Sequence, residues 1–365
     1  MDLNKLCIAT IIKENLNFNR LPNTLKEKIL QFRPCCLSIC TNKVTYYAII
    51  TAIRVDHPDC LKTMLSIYKG PSIFFMEECI HSKSYKCILY LLSIDYTWPE
   101  WTLEYVRELP FLKFCIENNC IIHPNTMDNA IKYSNLSCVR YLLSKGIQLE
   151  PYMYELCAIF DDDEIMDFFI KQGLESTRYT IEECCTLCSI RCLKLGLSNN
   201  FFISENSKIK CIQSDFLEGV KLLLQYNITF SYEDLKFSIQ CNAYLVFSFL
   251  LLKIFFEKNE ELIDCATDRK IKFLDLLLQN NWPISKNATF YCVENGFLEG
   301  LQLLHKYKAF WDINVTKIAI DMEETECLQF AVYNNCPVDL NYCYKYVVGN
   351  EAFFQYLLNF ANLEV

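Results

Sequence analysis

Four cysteines within nine residues, Cys184, Cys185, Cys188 and Cys192, form the densest thiol cluster of the chain. The spacing of Cys185-Thr-Leu-Cys188 is one that zinc centres and dithiol redox sites use. A zinc ribbon also needs a second pair at similar spacing, and none follows. Cys35, Cys36 and Cys40 make a looser cluster that likewise lacks a second pair at zinc-ribbon spacing. Asp161-Asp-Asp-Glu164 offers the oxygen chemistry of a divalent-cation site, but carboxylates just ahead of a helix also complement the positive end of its dipole. His57, His81, His123 and His305 show no paired helical spacing, and His305 stands where most copies of the pattern below carry an aliphatic residue. The sequence has no Gly-rich phosphate loop, nucleophile elbow or HExxH pair, and only eight glycines. These side chains predict a protein that is not an enzyme, with no catalytic, cofactor-binding or metal-binding residues.

What holds those cysteines in place is a repeat. Asn295-Gly-Phe-Leu-Glu-Gly-Leu-Gln-Leu-Leu304 is echoed along most of the chain, with apolar blocks opening at Cys60, Cys87, Phe111, Cys138, Ile165, Cys192, Gly219, Val246, Phe273, Gly300, Cys327 and Phe353. Nine of the eleven intervals are 27 residues, one is 24 and one is 26, which predicts a stacked array and not several independent domains. Counted from each opening residue as step 0, apolar side chains fill steps 1, 3, 4 and 5, a pattern that predicts a helix buried on most of its circumference. Step 8 holds Asn119, Gly146, Gly173, Asn200, Asn227, Asn281 and Asn335, residues that tolerate the left-handed conformation ending a helix. Step 12 holds Ser72, Thr177, Ser204, Ser231, Ser285, Asp312 and Asp339, candidate N-caps of a second helix. Small or apolar residues then recur at steps 16, 19 and 20, as in Met127, Ala130 and Ile131, one helical stripe.

The cysteines belong to this pattern. Cys60, Cys87, Cys138, Cys192 and Cys327 sit at step 0, while Cys79, Cys157, Cys184, Cys211, Cys265 and Cys292 sit at step 19. Half of the 22 cysteines thus share two columns with Ala, Phe, Val and Ser, as small core residues do. Free thiols in such numbers, with no secretory leader at the N-terminus, imply a reducing intracellular compartment and a cytoplasmic protein. The net charge of −9 argues against wholesale binding to nucleic acid or an anionic membrane. The longest apolar run, Tyr244 to Phe256, is interrupted by Ser248 and Lys253 and is shorter than the roughly 20 residues a bilayer requires.

The segments Asn295-Gly-Phe-Leu-Glu-Gly-Leu-Gln-Leu-Leu304 and Asp215-Phe-Leu-Glu-Gly-Val-Lys-Leu-Leu-Leu224 resemble the Gly-His-Leu-Glu-Val-Val-Lys-Leu-Leu-Leu segment of ankyrin repeats, and Ser144-Lys-Gly146 resembles the glycine that follows it. The unit is about six residues shorter than the ankyrin norm and lacks the Thr-Pro-Leu-His turn. Asn334-Asn-Cys-Pro-Val-Asp339 and Asn280-Asn-Trp-Pro-Ile284 are similar to the degenerate ankyrin-like repeats of large DNA viruses, those of amoebae and the asfarvirus multigene families. The resemblance implies an all-α, ankyrin-like α-solenoid of about twelve helix-loop-helix units with reduced or absent β-hairpin fingers. It also implies a scaffold that binds host or cellular proteins, and a monomer is expected.

Residues 1–32 are expected to cap the array of residues 33–365. Leu21-Pro-Asn-Thr-Leu-Lys-Glu-Lys-Ile-Leu30 resembles the opening of an F-box, which gives the alternative of a ubiquitin-ligase substrate adaptor. At step 11, Trp98, Phe230 and Trp311 share a column with Leu149, Ile284 and Val338, which predicts buried loop packing. At step 14, Trp101, Tyr152 and Tyr179 share a column with Glu233, Glu260, Asn287, Asn314 and Asn341, which predicts exposure. In ankyrin-like stacks the helix after the long loop lines the concave face. That places Trp101, Tyr152 and Tyr179 as candidate partner-binding residues, of the aromatic kind that anchors interfaces.

Overall fold

Every step-8 residue named above turns the chain left-handed: Asn119, Gly146, Gly173, Asn200, Asn227, Asn281 and Asn335 have φ between 55° and 91°. After each turn an amide bonds back into the last helical turn, as Cys120 N–H does to the Cys115 carbonyl at 3.0 Å, so the helix ends with its carbonyls satisfied. The computed structural model describes residues 44–69, 74–339 and 342. The N-terminal capping segment 1–32 with its F-box-like string, Cys35, Cys36, Cys40, Ser72 and the last block at Phe353 all lie outside the described residues.

The chain divides into two compact units, Met1–Met153 and Tyr154–Val365. In the first, helices α1 (Tyr46–Arg54), α2 (Pro58–Ile67), α3 (Phe75–His81) and α4 (Tyr85–Leu92) lead to a 3₁₀ turn at Thr102–Glu104, then to α5 (Leu109–Glu117), α6 (Asn125–Lys132) and α7 (Leu136–Ser144). The second unit opens within α8 (Met153–Phe160) and continues through α9 (Asp163–Lys171), α10 (Thr180–Thr186), α11 (Ile190–Ser198), α12 (Glu205–Gln213), α13 (Leu217–Gln225) and α14 (Tyr232–Gln240). It ends with α15 (Tyr244–Lys253), α16 (Glu261–Ala266), α17 (Ile271–Gln279), α18 (Ala288–Glu294), α19 (Leu298–Lys306), α20 (Ile313–Asp321) and α21 (Thr325–Tyr333). Among the described residues all regular structure is helical. Inside each unit, helices pack on their sequence neighbours and on the next but one, which is how repeats that cannot bury their apolar faces alone close a continuous core.

Burial follows the repeat register, with two corrections. In the opening helices steps 0, 1 and 4 are buried, as at Cys138, Val139 and Leu142. Steps 3 and 5, expected to be buried too, are mostly half-exposed, as at Tyr141 and Leu143, because a helix packed on two neighbours still shows one flank to solvent. The second helices bury two pairs of residues with two half-buried residues between, as in Thr126-Met127 and Ala130-Ile131 or Ala288-Thr289 and Cys292-Val293. In α16 this pattern slips one residue, to Leu262-Ile263 and Ala266-Thr267, which leaves Cys265 half-exposed while the other ten column cysteines are buried.

The step-12 hydroxyls and carboxylates divide into two roles. Ser231 is a true N-cap, with a capping box to Asp234, and Asp312 caps α20 by accepting from the Asn314 amide at 2.7 Å. Thr177 and Ser285 lie ahead of helices that start at Thr180 and Ala288, and they donate to Glu155 and Asp264 on the preceding second helix. Ser204 occupies its N-cap position but likewise donates sideways, to Glu182 at 2.5 Å. These hydroxyls therefore tie repeats together as well as ending loops.

A second left-handed column at step 23 includes Lys83, Ser134, Asp161, Cys188, Asp215, Asn242, Arg269, Gly296 and Glu323. The next amide returns to the step-19 carbonyl, as Asp162 N–H does to Cys157 at 3.0 Å, except after Arg269, where it returns to Ala266 one residue further on. Where this column holds aspartate, the carboxylate clasps the following repeat. Asp161 accepts from the amides of Arg191 and Cys192, each at 3.0 Å, and Asp215 accepts from Val246 N–H at 2.9 Å. Asp56, at the equivalent place before Cys60, accepts from Lys86 and Cys87.

Glycine at step 0 answers a phenylalanine three residues earlier. A Cβ on Gly300 would lie 2.3 Å from Phe297 Cδ1, and one on Gly219 would lie 2.4 Å from Phe216 Cδ1. Where a small polar residue replaces that ring, as Ser84 before Cys87 or Ser189 before Cys192, step 0 carries a side chain.

Candidate partner-binding surface

The step-14 column is largely solvent-facing. Tyr152, Tyr179, Glu233, Glu260, Asn287 and Asn314 are all exposed. Tyr152 lies between α7 and α8, and its hydroxyl donates to Asp128 Oδ1 at 2.8 Å. Partial burial, followed by that bond and the carboxylate's charge, pushes its phenol up to about 12. Tyr179 precedes α10 and lies under the Arg178 guanidinium, 4.6 Å from the ring centroid, with its hydroxyl accepting from the same group.

Trp101 departs from the expectation of exposure: it is half-buried, stacked on His81 at 5.5 Å and 22° and edge-on to Tyr105 at 5.5 Å. The cause is the one 24-residue repeat, whose second helix shrinks to the 3₁₀ turn Thr102–Glu104 and leaves Trp101 flat against the end of α3. Trp101 and Tyr152 belong to the first unit and Tyr179 to the second, and each is held by its own local partners. Trp98, Leu149, Ile284, Trp311 and Val338 of the step-11 column are half-buried, and Phe230 is buried.

The chemistry weighed in the sequence falls to structural roles. Cys184, Cys185 and Cys192 are buried, and Cys188 is exposed. Burial raises the Cys184 and Cys192 thiols well above the ordinary range, and contact with Cys211 together with burial raises Cys185. The Cys192 thiol donates to the Cys157 carbonyl at 3.4 Å, a packing contact between repeats. Among the described residues no group of three or more His, Cys, Asp or Glu side chains is placed to hold a metal ion. In the acidic run, Asp162 caps α9 by accepting from Ile165 N–H at 3.0 Å, while Asp161 and Asp163 pair with Arg191 at 3.3 and 2.8 Å. His305 packs against Trp311 and Phe330, half-buried.

Sequence reasoning missed a cleft in the first unit, between loop 93–100 and the segment 118–123, with a volume of about 670 Å³. Its one visible signal was the shortened interval between Cys87 and Phe111. Among the described residues no helix is long and apolar enough to cross a membrane.

No protein-family model matches the chain, and no curated protein matches it. Among solved structures, that of the pentatricopeptide repeat protein PPR10 from maize aligns with a TM-score of 0.30 and 10% identity, over 88% of this chain and 64% of that one. The chain thus spans less than two thirds of that protein's length. With similarity this low, the fold rests on the helix packing itself. Helix pairs recurring every 27 residues and stacked on their neighbours define a helical-repeat protein, a class whose stacked faces serve as binding surfaces.

Proposed function

We propose that this chain is a non-enzymatic, ankyrin-like scaffold that binds a host or cellular protein in the cytoplasm as a monomer, through the loops and first turns of second helices in each unit. The observation that carries the reading is the step-14 column, whose largely polar positions hold the exposed Tyr152 and Tyr179 and, half-buried against His81, Trp101. Core packing does not dictate aromatic side chains at exposed positions, whereas interface anchors are enriched in them. The His81 ring, the Asp128 carboxylate and the Arg178 guanidinium each hold one of the three, which lowers the entropy lost on binding. The net charge of −9 favours a protein over a nucleic acid as partner.

The test is affinity capture from the native cell with the partner identified by mass spectrometry, followed by measurement of its affinity for purified protein. Trp101→Ala/Tyr152→Ala/Tyr179→Ala is expected to keep the helical circular-dichroism signal and weaken binding tenfold or more. Unchanged affinity, or loss of helicity, would reject the surface.

A further inference from the structure

The cleft between loop 93–100 and segment 118–123 lies beside Trp101 in sequence and has walls of a particular composition. Leu89, Tyr96, Trp98 and Ile121 line it, and Ile121 is 71% exposed. The Trp98 indole is fixed, because its Nε1 donates to the Asn118 carbonyl at 2.9 Å and its ring meets Phe114 edge-on at 6.4 Å. Glu100 and Glu117 also line the cleft, both exposed, and neither is in an ion pair among the described residues. No lysine or arginine lines it. The cleft therefore combines a preformed apolar and aromatic wall with two carboxylates that no lysine or arginine of its lining offsets, beside the half-buried His123, at a volume within the usual range of ligand pockets.

We infer that this cleft binds a short peptide segment of the partner in which a lysine or arginine flanks a bulky apolar side chain. The apolar group takes the surface offered by Ile121 and Leu89, which removes exposed hydrocarbon from water. The cation meets Glu100 and Glu117 beside the aromatic rings, where carboxylate charge and ring quadrupole act in the same direction. An acidic segment would meet two like charges, and a purely apolar one would leave both carboxylates without a counter-charge. This inference rests on the reading of the chain as a partner-binding scaffold and deepens it by naming the chemistry of what is bound.

The test is fluorescence anisotropy with a labelled, N-acetylated hexapeptide of alternating lysine and leucine. Glutamate/leucine and lysine/glycine hexapeptides serve as probes of each arm. Saturable binding is expected for the lysine/leucine peptide alone. Glu100→Gln/Glu117→Gln and Ile121→Ser, surface changes that leave the core intact, should each weaken it tenfold or more. Glu257→Gln/Glu294→Gln removes the same charge from exposed sites in the second unit and should leave affinity unchanged. No binding, equal binding of the glutamate peptide, or equal weakening by the distant pair overturns the assignment. If the peptide fails while partner affinity still depends on Trp101, Tyr152 and Tyr179, the cleft falls and the scaffold reading stands. If the peptide binds and the triple aromatic variant keeps full affinity, the aromatic surface falls and the cleft stands.

Discussion

Replacing Asp161 tests the link between repeats directly. Its carboxylate accepts from two backbone amides at the start of α11, both at 3.0 Å, and it sits in the left-handed region at φ 48°. Asp161→Ala removes a helix cap, worth about 1–2 kcal/mol, and loses the short polar side chain that lets aspartate tolerate the left-handed conformation, which costs about 1 kcal/mol more. The exposed Arg191 pairs add little, because screened surface ion pairs contribute about 0–1 kcal/mol. The expected total is about 2–3 kcal/mol. Asp161→Gly loses the clasp but relieves the backbone, so about 1–2 kcal/mol is expected, and Asp161→Asn keeps one acceptor and the tolerance for positive φ, so the loss should stay below about 1 kcal/mol. Stacked repeats need not unfold in one step, so urea midpoints followed by circular dichroism should be paired with amide exchange at Arg191 and Cys192. A local loss of 2 kcal/mol speeds exchange at those two amides by roughly thirtyfold. Wild-type protection there in Asp161→Ala, or equal stability of the alanine and glycine variants, would refute both the clasp and the backbone argument.

Gly300→Ala should destabilise by about 1–3 kcal/mol through its collision with Phe297. The double change Phe297→Ser/Gly300→Cys, which imports the Ser84/Cys87 and Ser189/Cys192 pairing, should recover most of that in urea denaturation. Mass mapping after brief alkylation should find Cys188 labelled ahead of the sixteen other described cysteines, since it alone among them is exposed. Alkaline pH should weaken the fold through its thiols. Burial holds Cys138 and Cys327 up to about 11, so the unfolded chain ionises first, and stability that is complete below about pH 9 declines as pH rises from 9 towards 11. Cys138→Ala/Cys327→Ala should flatten the fall of the urea midpoint over that window, and an unchanged slope would deny those thiols the role.

Most of the repeat could be read because its signals are local. Asparagine and glycine at step 8 adopt positive φ by their own preference, and apolar spacing names the buried stripes wherever the chain runs. The step-23 turn escaped notice because Lys83, Cys188, Arg269 and Glu323 have no such preference and are held left-handed by the closing bond of the next amide, to the step-19 carbonyl or, after Arg269, to Ala266 one residue on. The clasps at Asp56, Asp161 and Asp215 reach amides about 30 residues away, beyond any pattern in a short window. Cys265 was assigned to the buried column because the count from Val246 ignores the one-residue slip of α16. A regular column predicts an exposed Trp101, and the shortened repeat before Phe111 breaks that regularity and opens the cleft as well.

Asp56, Asp161 and Asp215 each meet an amide 31 residues onward, one repeat plus one helical turn. Carboxylate and amide are both placed by the same 27-residue phase, so copying or losing a whole window within the regular 27-residue run returns Asp161 and Asp215 to an amide. A single inserted residue strands both sides of the joint. Such a chain can gain or shed surface by duplication while being intolerant of frame within the unit. Across the 24-residue interval the tie is of another kind: Lys83, at the place equivalent to Asp161, pairs with Glu108 at the head of α5.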